Sequence, residues 1–528
     1  MTDTILPRLK LMFLGAIGLM IVGLFIIGVG LRKEELTALS ATGRMLSMLQ
    51  YRVEYAAGDA LAAVGAAPSP LSASRAGAAA PAASVPVLLY HGVISNPDRF
   101  SLTQEAFKNQ MFALKRAGYQ TISLADFLAF EQGKKQLPEK SFLLTFDDGR
   151  KDSYEGADPV LAALGYNAIM FVATEDSLDN PTDHNDYYLT EDELQRMQSS
   201  GRWEIGSHMR QVGGGFVPLD AAGAKGNFLS SRMWLASAGR LETQAEYQAR
   251  IHDELAGARE RLTAAFGGPI IAASYPFGDY GQQGKNEPDA EKIINAEVRK
   301  DYEMAFEQVW DFDSGFSENH VGEDPYHLRR IEVDTDWNGS QLVSFLASAS
   351  SKALPYDQPV SAASGWKHDW GNISVQDGTL LLSASSSGSG ADAFLDGSGS
   401  WTDYRFTATI ASSTSDTLSL IARYQNADRM VLCTFYAGSS GSRVKIEQRL
   451  DGTVTSLADE PVMLPARPQL AIGVSGTSVT CRVDGQAVAG AQFSSSLSRG
   501  GVGFRIWDER LGTAVLSAAN VTVTSTTP

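Results

Sequence analysis

Two adjacent carboxylates, Asp147 and Asp148, follow the apolar run at 141–146 and precede Gly149. Along an extended strand neighbouring side chains point to opposite faces, but at the turn after a strand they can take different roles. One carboxylate can then bind a metal ion while the other accepts a proton from water. An acidic turn or a helix cap has the same composition, because Asp is a good N-cap. The pair by itself leaves a catalytic and a structural interpretation open.

Notable residues also follow other short apolar runs in the middle of the chain. From about residue 85 such runs alternate with amphipathic segments, which predicts an α/β fold whose parallel sheet is open or closed into a barrel. In folds of this kind reactive side chains collect at the C-terminal ends of the strands. The residues at these predicted strand ends, besides the aspartate pair, are His91, His208, Tyr275, Pro276, Asp334 and Asp336. Because five segments bring such groups to one rim, the sequence predicts an active site there.

The segment Thr145-Phe146-Asp147-Asp148-Gly149 resembles the first motif of the NodB-type polysaccharide deacetylases, carbohydrate esterase family 4. The resemblance implies a distorted (β/α) barrel and a metal-dependent hydrolase that removes acetyl groups from sugars in polymers. It implies that Asp147 is the general base and that Asp148 binds a divalent metal ion, usually zinc. This division of roles is chemically coherent, because a metal lowers the pKa of water and a carboxylate completes its deprotonation.

The predicted metal site departs from the family pattern at one position. His208 matches the start of the family's S-H-x-x-x-H motif, which implies a second metal ligand, but Val212 stands where the second histidine is expected. Gln211 offers a weak oxygen ligand, and His184 or His320 offers a ligand from a loop. The alternatives are therefore a weakly held metal, a substituted site or a catalytically inactive descendant.

The segment at 274–278 resembles the family's third motif, in which the backbone N–H of Tyr275 would stabilise the oxyanion. Pro276 and Phe277 are then expected to contact substrate. The arginine often found before that tyrosine is absent, which is similar to the poly-N-acetylglucosamine deacetylase branch. In that branch the acid histidine comes from the first strand, so the resemblance implies that His91 is the general acid. A packed histidine at a strand end is the structural alternative.

The last motif, at 334–337, resembles the family's D-x-x-D-W segment but is one residue shorter. The resemblance implies that Asp334 or Asp336 orients the acid histidine and that Trp337 forms a wall of the sugar pocket. Arg330 is a candidate to support Asp147 in place of the absent arginine, although a surface arginine is equally consistent with the sequence.

The N-terminus predicts a membrane anchor. Residues 11–30 are uncharged and apolar, and a run of about 20 such residues spans the hydrocarbon core of a bilayer. We therefore expect a stub and anchor at 1–33, followed by a membrane-proximal segment and Ala/Pro/Ser linker at 34–84. The expected location is a bacterial inner membrane, crossed once, with the soluble domains facing the periplasm or the exterior. That orientation follows from the predicted glycan substrate, since the flanking charges are balanced.

A deacetylase domain is expected at 85–354 and an all-β domain at 355–528. The latter is rich in Ser, Thr and Gly, with alternating strands that predict a jelly-roll sandwich resembling concanavalin-like and laminin-G-like carbohydrate-binding modules. Cys433 and Cys481 either form a disulfide or are two buried small hydrophobic residues. Some aromatic residues of this domain are candidates for stacking on sugars, although core packing explains them more simply. They are Trp366, Trp370, Trp401, Tyr424 and Trp507.

The formal net charge of −17 argues against a nucleic-acid partner, because such proteins carry a basic face. The sequence therefore predicts hydrolysis of acetyl groups, foremost N-acetyl groups, on an extracytoplasmic polysaccharide such as poly-N-acetylglucosamine. One alternative is an inactive glycan-binding protein on a degenerate deacetylase scaffold, which Val212 favours. The other is a scaffold within an exopolysaccharide synthesis and export machinery, which the anchor and linker favour.

Overall fold

The computed structural model describes residues 46–56, 81–179, 187–210, 215–309, 316–436 and 441–526. Within these ranges no helix is both long and apolar enough to cross a membrane. The predicted anchor at 11–30 and most of the predicted linker lie outside the described residues.

In the described part of the chain, seven parallel strands close a barrel around an apolar interior. The strands are β1 Val87–Tyr90, β2 Ser141–Phe146, β3 Ala168–Val172, β4 Trp203–Ser207, β5 Ala272–Ser274, β6 Met304–Val309 and β7 Leu328–Glu332. Their spatial order is β1, β7, β6, β5, β4, β3, β2, and β2 pairs back with β1. Every residue of β2 is buried, because parallel strands are covered on both faces. The predicted (β/α) barrel is confirmed.

Helices surround the barrel in the order that the sequence pattern indicates. They are α1 Gln104–Arg116, α2 Leu124–Glu131, α3 Lys151–Leu164, α4 Glu191–Ser199, α5 Gln244–His252, α6 Ala258–Phe266, α7 Ala290–Asp301 and α8 Gly339–Ala349, with a short helix at Thr174–Ser177. A π-helical turn, Asp253–Gly257, joins α5 to α6, and Gly267 ends α6 with a left-handed φ of 69°.

Short strands complete the barrel domain. Gln120–Thr121 pairs with the start of β2, Val93–Ile94 pairs with Leu102–Thr103, and Ser84–Val85 pairs with Asn319–His320. The insertion after β4 contains two small hairpins, Phe216–Pro218 with Lys225–Asn227 and Trp234–Leu235 with Arg240–Leu241.

Part of the predicted linker segment is a helix that packs on the barrel. Residues 46–56 are helical. The ring of Tyr55 lies 5.2 Å from that of Phe112 on α1, and the Glu54 carboxylate lies 2.8 Å from Lys108 Nζ. The chain therefore contacts the barrel before its first strand begins.

The C-terminal region consists of two seven-stranded antiparallel sheets over a shared core. One sheet has the spatial order Trp366–Lys367, Gly390–Leu395, Gly501–Trp507, Thr417–Asn426, Arg429–Tyr436, Ser442–Leu450 and Thr453–Val462. The other has the order Asn372–Gln376, Thr379–Ser383, Val515–Ser525, Tyr404–Ser413, Gln469–Ser475, Ser478–Val483 and Gln486–Gln492. The predicted β-rich domain is thus observed, and its concanavalin-like identity stays a prediction.

A disulfide joins the two sheets. Cys433 lies in the first sheet and Cys481 in the second, both are fully buried, and their Cα atoms are 5.8 Å apart. Of the two alternatives for these cysteines, the structure has the disulfide.

The sandwich packs against the end of the barrel where the strands begin. Asp396 accepts a hydrogen bond from Ser317 Oγ at 2.8 Å, and its backbone carbonyl accepts one from Lys352 Nζ at 2.7 Å. Both partners lie near Ser84, because Ser351 N–H donates to Ser84 Oγ at 3.2 Å and Ser84 Oγ donates to the carboxylate of Glu318. Ser84 precedes β1 and lies seven positions before His91 at the rim, and a rise of about 3.3 Å per extended residue separates the two by roughly 20 Å. The sandwich therefore lies at the end of the barrel away from the predicted site.

Candidate active site

The two aspartates after β2 diverge because the chain turns sharply there. Asp147 N–H donates to Tyr90 O at 3.3 Å and so continues the strand ladder. Asp148 and Gly149 both have a φ of 70°, in the left-handed region. Glycine adopts this conformation readily and aspartate tolerates it better than most residues. The turn therefore gives the two carboxylates different surroundings.

Asp147 forms a buried ion pair with Arg330 of β7. Arg330 Nη1 lies 2.5 Å from one carboxylate oxygen and Nη2 lies 2.8 Å from the other, and the two residues are 0% and 1% exposed. Burial raises the pKa of Asp147, but Arg330, with a smaller contribution from His208, outweighs this and lowers the pKa to about 2. Of the two interpretations of Arg330, the supporting role for Asp147 is confirmed, and the carboxylate is ionised at every physiological pH.

The two predicted metal ligands lie together at the rim. His208 Nε2 is 3.5 Å from Asp148 Oδ1 and 3.9 Å from Asp147 Oδ2. His208 Nδ1 lies 2.6 Å from the hydroxyl of Ser274, at the end of β5, which fixes the ring with Nε2 toward the carboxylates. Ser274 was not predicted; its position directly before the third motif, at the end of a strand neighbouring β4, was the available signal.

A nitrogen and a carboxylate oxygen are donors that suit zinc and related cations. Asp148 and His208 fit part of such a site, whose remaining positions water or substrate would fill. No third His, Cys, Asp or Glu joins them among the residues that the structure describes. Two of the proposed substitutes, Gln211 and the loop residue His184, lie outside those residues, as does Val212 itself. His320 does not reach the rim: it is buried beside Ser84–Val85 at the other end of the barrel.

Glu332 is the carboxylate that faces the predicted general acid. His91 Nδ1 lies 3.1 Å from Glu332 Oε1, and Gln308 Nε2 donates to the other oxygen at 2.8 Å. Burial lowers the pKa of His91, but Glu332, followed by Asp148 and Asp147, outweighs this and raises the pKa to about 9. The imidazole is therefore protonated at neutral pH.

The prediction that Asp334 or Asp336 orients His91 is wrong. Asp334 Oδ1 accepts the backbone N–H of Asp336 at 2.8 Å, and Asp336 is exposed. Both residues lie in the turn beyond β7, where side chains no longer alternate across the sheet. Glu332 is two residues after Arg330, so strand alternation puts both on the same face. That alternation was the missed signal.

The backbone N–H of Tyr275 does not have the predicted oxyanion role in this structure. It donates to Phe306 O at 2.9 Å, because the pairing between β5 and β6 continues one residue past the strand. The side chain is fully buried, and its hydroxyl donates to Tyr326 O at 3.1 Å. Tyr275 therefore belongs to the barrel core.

The residues predicted to contact substrate lie in two places, a cavity beside the rim and the surface of helix α8. Pro276 and Phe277 line a cavity beside the rim, and the Phe277 side chain is 54% exposed. Trp337 is partly buried, and its ring lies 4.8 Å from that of Phe345 on α8. A role of Trp337 as a pocket wall stays a prediction.

Three turns at the rim hold non-glycine residues in the left-handed region. They are Asp148, Met209 and Phe277, with φ of 70°, 63° and 59°. This conformation costs about 1–3 kcal/mol for such residues and clusters at functional sites. Each of them lies within three residues of the end of β2, β4 or β5, beside the side chains described above.

The aromatic residues of the sandwich that were candidates for sugar stacking fall into a buried group and an exposed group. Trp401 and Tyr424 are 4% and 1% exposed and belong to the interior, and Trp366 packs 5.8 Å from Phe504. Trp507 is 44% exposed and lies 5.9 Å from the ring of Trp370.

Residues 134–287 match the protein-family model described as Polysaccharide deacetylase. The chain carries a polysaccharide deacetylase domain. It is 29% identical over 161 residues to the poly-beta-1,6-N-acetyl-D-glucosamine N-deacetylase of Escherichia coli (strain K12), which covers 29% of this chain and 24% of that protein. The protein of the same name from Staphylococcus epidermidis is 28% identical over 138 residues, covering 26% of this chain and 45% of that protein.

A solved structure of a de-N-acetylase from Aggregatibacter actinomycetemcomitans is similar to 50% of this chain and 100% of its own, at 23% identity and a TM-score of 0.42. The two named sequence relatives are each matched over less than half of their length. Membership of the deacetylase domain therefore rests on the matched segment, which contains β2, β3, β4 and β5.

Proposed function

We propose that this protein is a metal-dependent deacetylase that removes N-acetyl groups from an extracytoplasmic polysaccharide such as poly-N-acetylglucosamine. One observation carries the proposal: the Asp147 carboxylate, paired with Arg330, and the His91 imidazole, paired with Glu332, stand at neighbouring strand ends, with Asp148 and His208 beside them. A general base and a general acid with pKa values pushed apart are what amide hydrolysis near neutral pH requires.

The chain's own residues supply the proton transfers. Asp147 accepts a proton from the water that attacks the acetyl carbonyl carbon, and Arg330 holds the carboxylate in position. His91, oriented by Glu332, donates its proton to the sugar nitrogen as the bond between carbon and nitrogen breaks. The products are acetate and the protonated amine, and both residues return to their starting states when Asp147 releases its proton to solvent and His91 takes one up.

Asp148 and His208 would hold a divalent cation, which would lower the pKa of nearby water and polarise the acetyl carbonyl. The orientation of the His208 ring suits the role, since Nδ1 faces Ser274 and Nε2 faces Asp148.

An extracytoplasmic location is supported by the disulfide between Cys433 and Cys481, because disulfides persist in oxidising compartments. We further propose that residues 11–30 anchor the protein in the inner membrane and that export machinery for the polymer is a partner. The free thiols can be counted in protein from the periplasm and from the cytoplasm. Two reactive thiols in unfolded protein taken directly from cells would contradict the location.

We also propose that the sandwich binds the glycan. Trp507 is exposed on the outer side of the first sheet, beside Trp370, over which the guanidinium of Arg505 lies at 5.2 Å. Exposed aromatic rings beside charged groups suit a sugar, which has apolar faces and a polar edge. Weaker retention of Trp507→Ala on insoluble acetylated polymer would support this role, and unchanged retention would contradict it.

Acetate release from N-acetylglucosamine oligomers and bound metal per chain test the main proposal together. The full-length protein in detergent is compared with Asp148→Ala, His91→Ala and, as a control, Leu511→Ala, an exposed residue of the sandwich. We expect about one divalent ion per chain, loss of turnover in the first two variants and full turnover in the control. If the wild type releases no acetate with added zinc, nickel or cobalt, the protein is instead a glycan-binding member of the fold.

A further inference from the structure

A cavity of about 380 Å³ lies beside the rim, between the insertion at 215–242 and the turn Pro276–Gly278. Its walls are connected to the ends of β4, which His208 follows, and of β5, whose Ser274 orients His208. The turn directly follows the end of β5, and Glu254 in the facing wall accepts the backbone N–H of Arg210, two residues after His208, at 3.2 Å. The cavity is therefore next to the candidate active site and built from a different part of the chain.

Two phenylalanine rings stand at the mouth of this cavity. Phe216 and Phe277 are each 54% exposed, and their ring centroids are 6.1 Å apart. Gly215 makes room for this pair, because a Cβ there would lie 2.2 Å from the Phe277 ring and the residue has a φ of +51°. Two neighbouring exposed aromatic rings form an apolar surface of the kind that marks a binding site.

The interior of the cavity combines apolar walls with buried carboxylates. Asp279 and Glu254 are only 1% and 6% exposed. Ser230 Oγ donates to one oxygen of Asp279 at 2.7 Å and fixes the carboxylate. The apolar lining is supplied by Val217, Phe228, Leu229 and Met233. A mostly apolar cavity with a few fixed polar groups is the usual form of a small-molecule site.

The insertion is held rigidly by helix α5. Arg250 Nη1 donates to Phe228 O at 2.8 Å and Nη2 donates to Ser231 O at 2.8 Å. The hydroxyl of Tyr247 donates to Leu229 O at 2.6 Å. Because these bonds fix the backbone of the cavity wall, a ligand would bind without first ordering it.

Another exposed aromatic ring stands across the rim. Phe100 is 44% exposed, and its ring centroid lies 6.1 Å from that of His91, which follows β1. The Phe216 pair follows β4 and β5, and β1 and β4 are separated by two strands on one side of the barrel and by three on the other. An extended chain could therefore cross the catalytic residues with apolar contacts on both sides.

We propose that the cavity binds the sugar residue adjacent to the one being deacetylated, with Phe216 as its stacking surface. A pyranose ring presents apolar C–H faces that pack on an aromatic ring, and hydroxyls that donate to carboxylates such as Asp279 and Glu254. The inference rests on the proposed function, because it takes the ligand to be the polymer whose acetyl group is removed. It makes the enzyme selective for chain length.

Kinetics on β-1,6-linked N-acetylglucosamine oligomers of one to five residues test this selectivity. Phe216→Ala should lower kcat/KM on the pentamer about fivefold, mainly through KM, because it removes one aromatic contact. The monomer does not reach the cavity, so its kcat/KM should not change. Phe216→Tyr should restore the pentamer value, and Leu511→Ala should match the wild type on every oligomer. Equal values for Phe216→Ala and the wild type on the pentamer would overturn the proposal.

Binding without turnover separates this inference from the proposed function. In a His91→Ala background, calorimetry with the pentamer should show about fivefold weaker binding when Phe216→Ala is added. Unchanged binding overturns the subsite. If the wild type releases no acetate but pentamer binding still depends on Phe216, the subsite stands and the deacetylase activity does not.

Discussion

Asp147 at the rim of the barrel and two glutamates at the other end are buried carboxyl groups in opposite charge states. At the rim, burial raises the pKa of Asp147 but Arg330 lowers it to about 2. At the end that faces the sandwich, burial raises the pKa of Glu131 to about 9 and that of Glu318 to about 8. Within the described residues, neither carboxyl oxygen of Glu131 has a hydrogen-bond partner. Burial alone therefore favours the neutral acid, and a paired guanidinium is what keeps a buried carboxylate charged.

Two consecutive residues of β7 make this difference concrete. Arg330 points into the barrel and pairs with Asp147, while Arg329 points outward and pairs with Glu323. Neighbouring strand residues face opposite sides of a sheet. The same strand therefore supplies one guanidinium to the candidate site and a second guanidinium to the outer face of the barrel. The Glu323 carboxylate also lies 3.3 Å from His320 Nδ1 and thus has a second partner.

Arg330→Met should cause the largest loss of stability among the variants that test this difference. The substitution leaves Asp147 charged and buried without its guanidinium, which costs about 3–5 kcal/mol. Urea unfolding at pH 7 measures the loss. Arg329→Met is the matched control and should cost about 1–2 kcal/mol, because Glu323 keeps other partners and is more exposed. Equal losses in the two variants would contradict the argument.

Glu332→Gln should separate orientation from proton donation at the rim. The neutral amide no longer stabilises the His91 imidazolium, so the pKa of His91 should fall below about 9. We expect about a 10- to 100-fold loss of acetate release. The alkaline limb of the pH–rate profile should move to lower pH. As a control, Asp336→Asn changes an exposed carboxylate in the turn and should leave the profile in place. An alkaline limb that does not move in Glu332→Gln would exclude His91 as the general acid.

Glu318→Gln should affect stability at the other end, in a way that depends on pH. Between pH 4.5 and about 8 the folded protein holds a proton on Glu318 that the unfolded chain has released. Raising the pH in this window therefore favours unfolding, by up to about 1.4 kcal/mol per pH unit. Thermal unfolding should show a flatter pH dependence in the variant and a higher melting temperature near pH 8.

The control for Glu318→Gln is Glu246→Gln, whose side chain is 42% exposed and pairs with Arg240. Solvent screens this exposed pair, so its loss should leave the slope of stability against pH between 4.5 and about 8 unchanged. If Glu318→Gln and the wild type have parallel pH dependences, Glu318 is ionised in the folded protein.

Local sequence patterns predicted most of the barrel and part of the site. Runs such as 141–146 are apolar throughout because both faces of a parallel strand are covered, and this makes them visible in the sequence. The pair Asp147 and Asp148 was identified because a motif is local. Asp334 and Asp336 were chosen by the same kind of local match as the residues that orient His91. The choice was wrong because Glu332, on the inward face of β7, makes that contact.

The contacts between distant segments could not be predicted in this way. Arg330 and Asp147 are 183 residues apart, and only barrel closure between β1 and its two neighbours brings them together. The engagement of the Tyr275 amide with Phe306 likewise depends on how far two strands continue to pair.

The sequence by itself determined the order of strands and helices, the reactive turn after β2 and the alternating strands of the sandwich. These features depend on side-chain period and on turn residues, which act over a few positions. The tertiary structure decided which carboxylate faces His91, which cation faces Asp147 and where the insertion forms its cavity. Those outcomes depend on the register of the strands and on the closure of the barrel. Both are set by packing and hydrogen bonds between segments that are far apart in the chain.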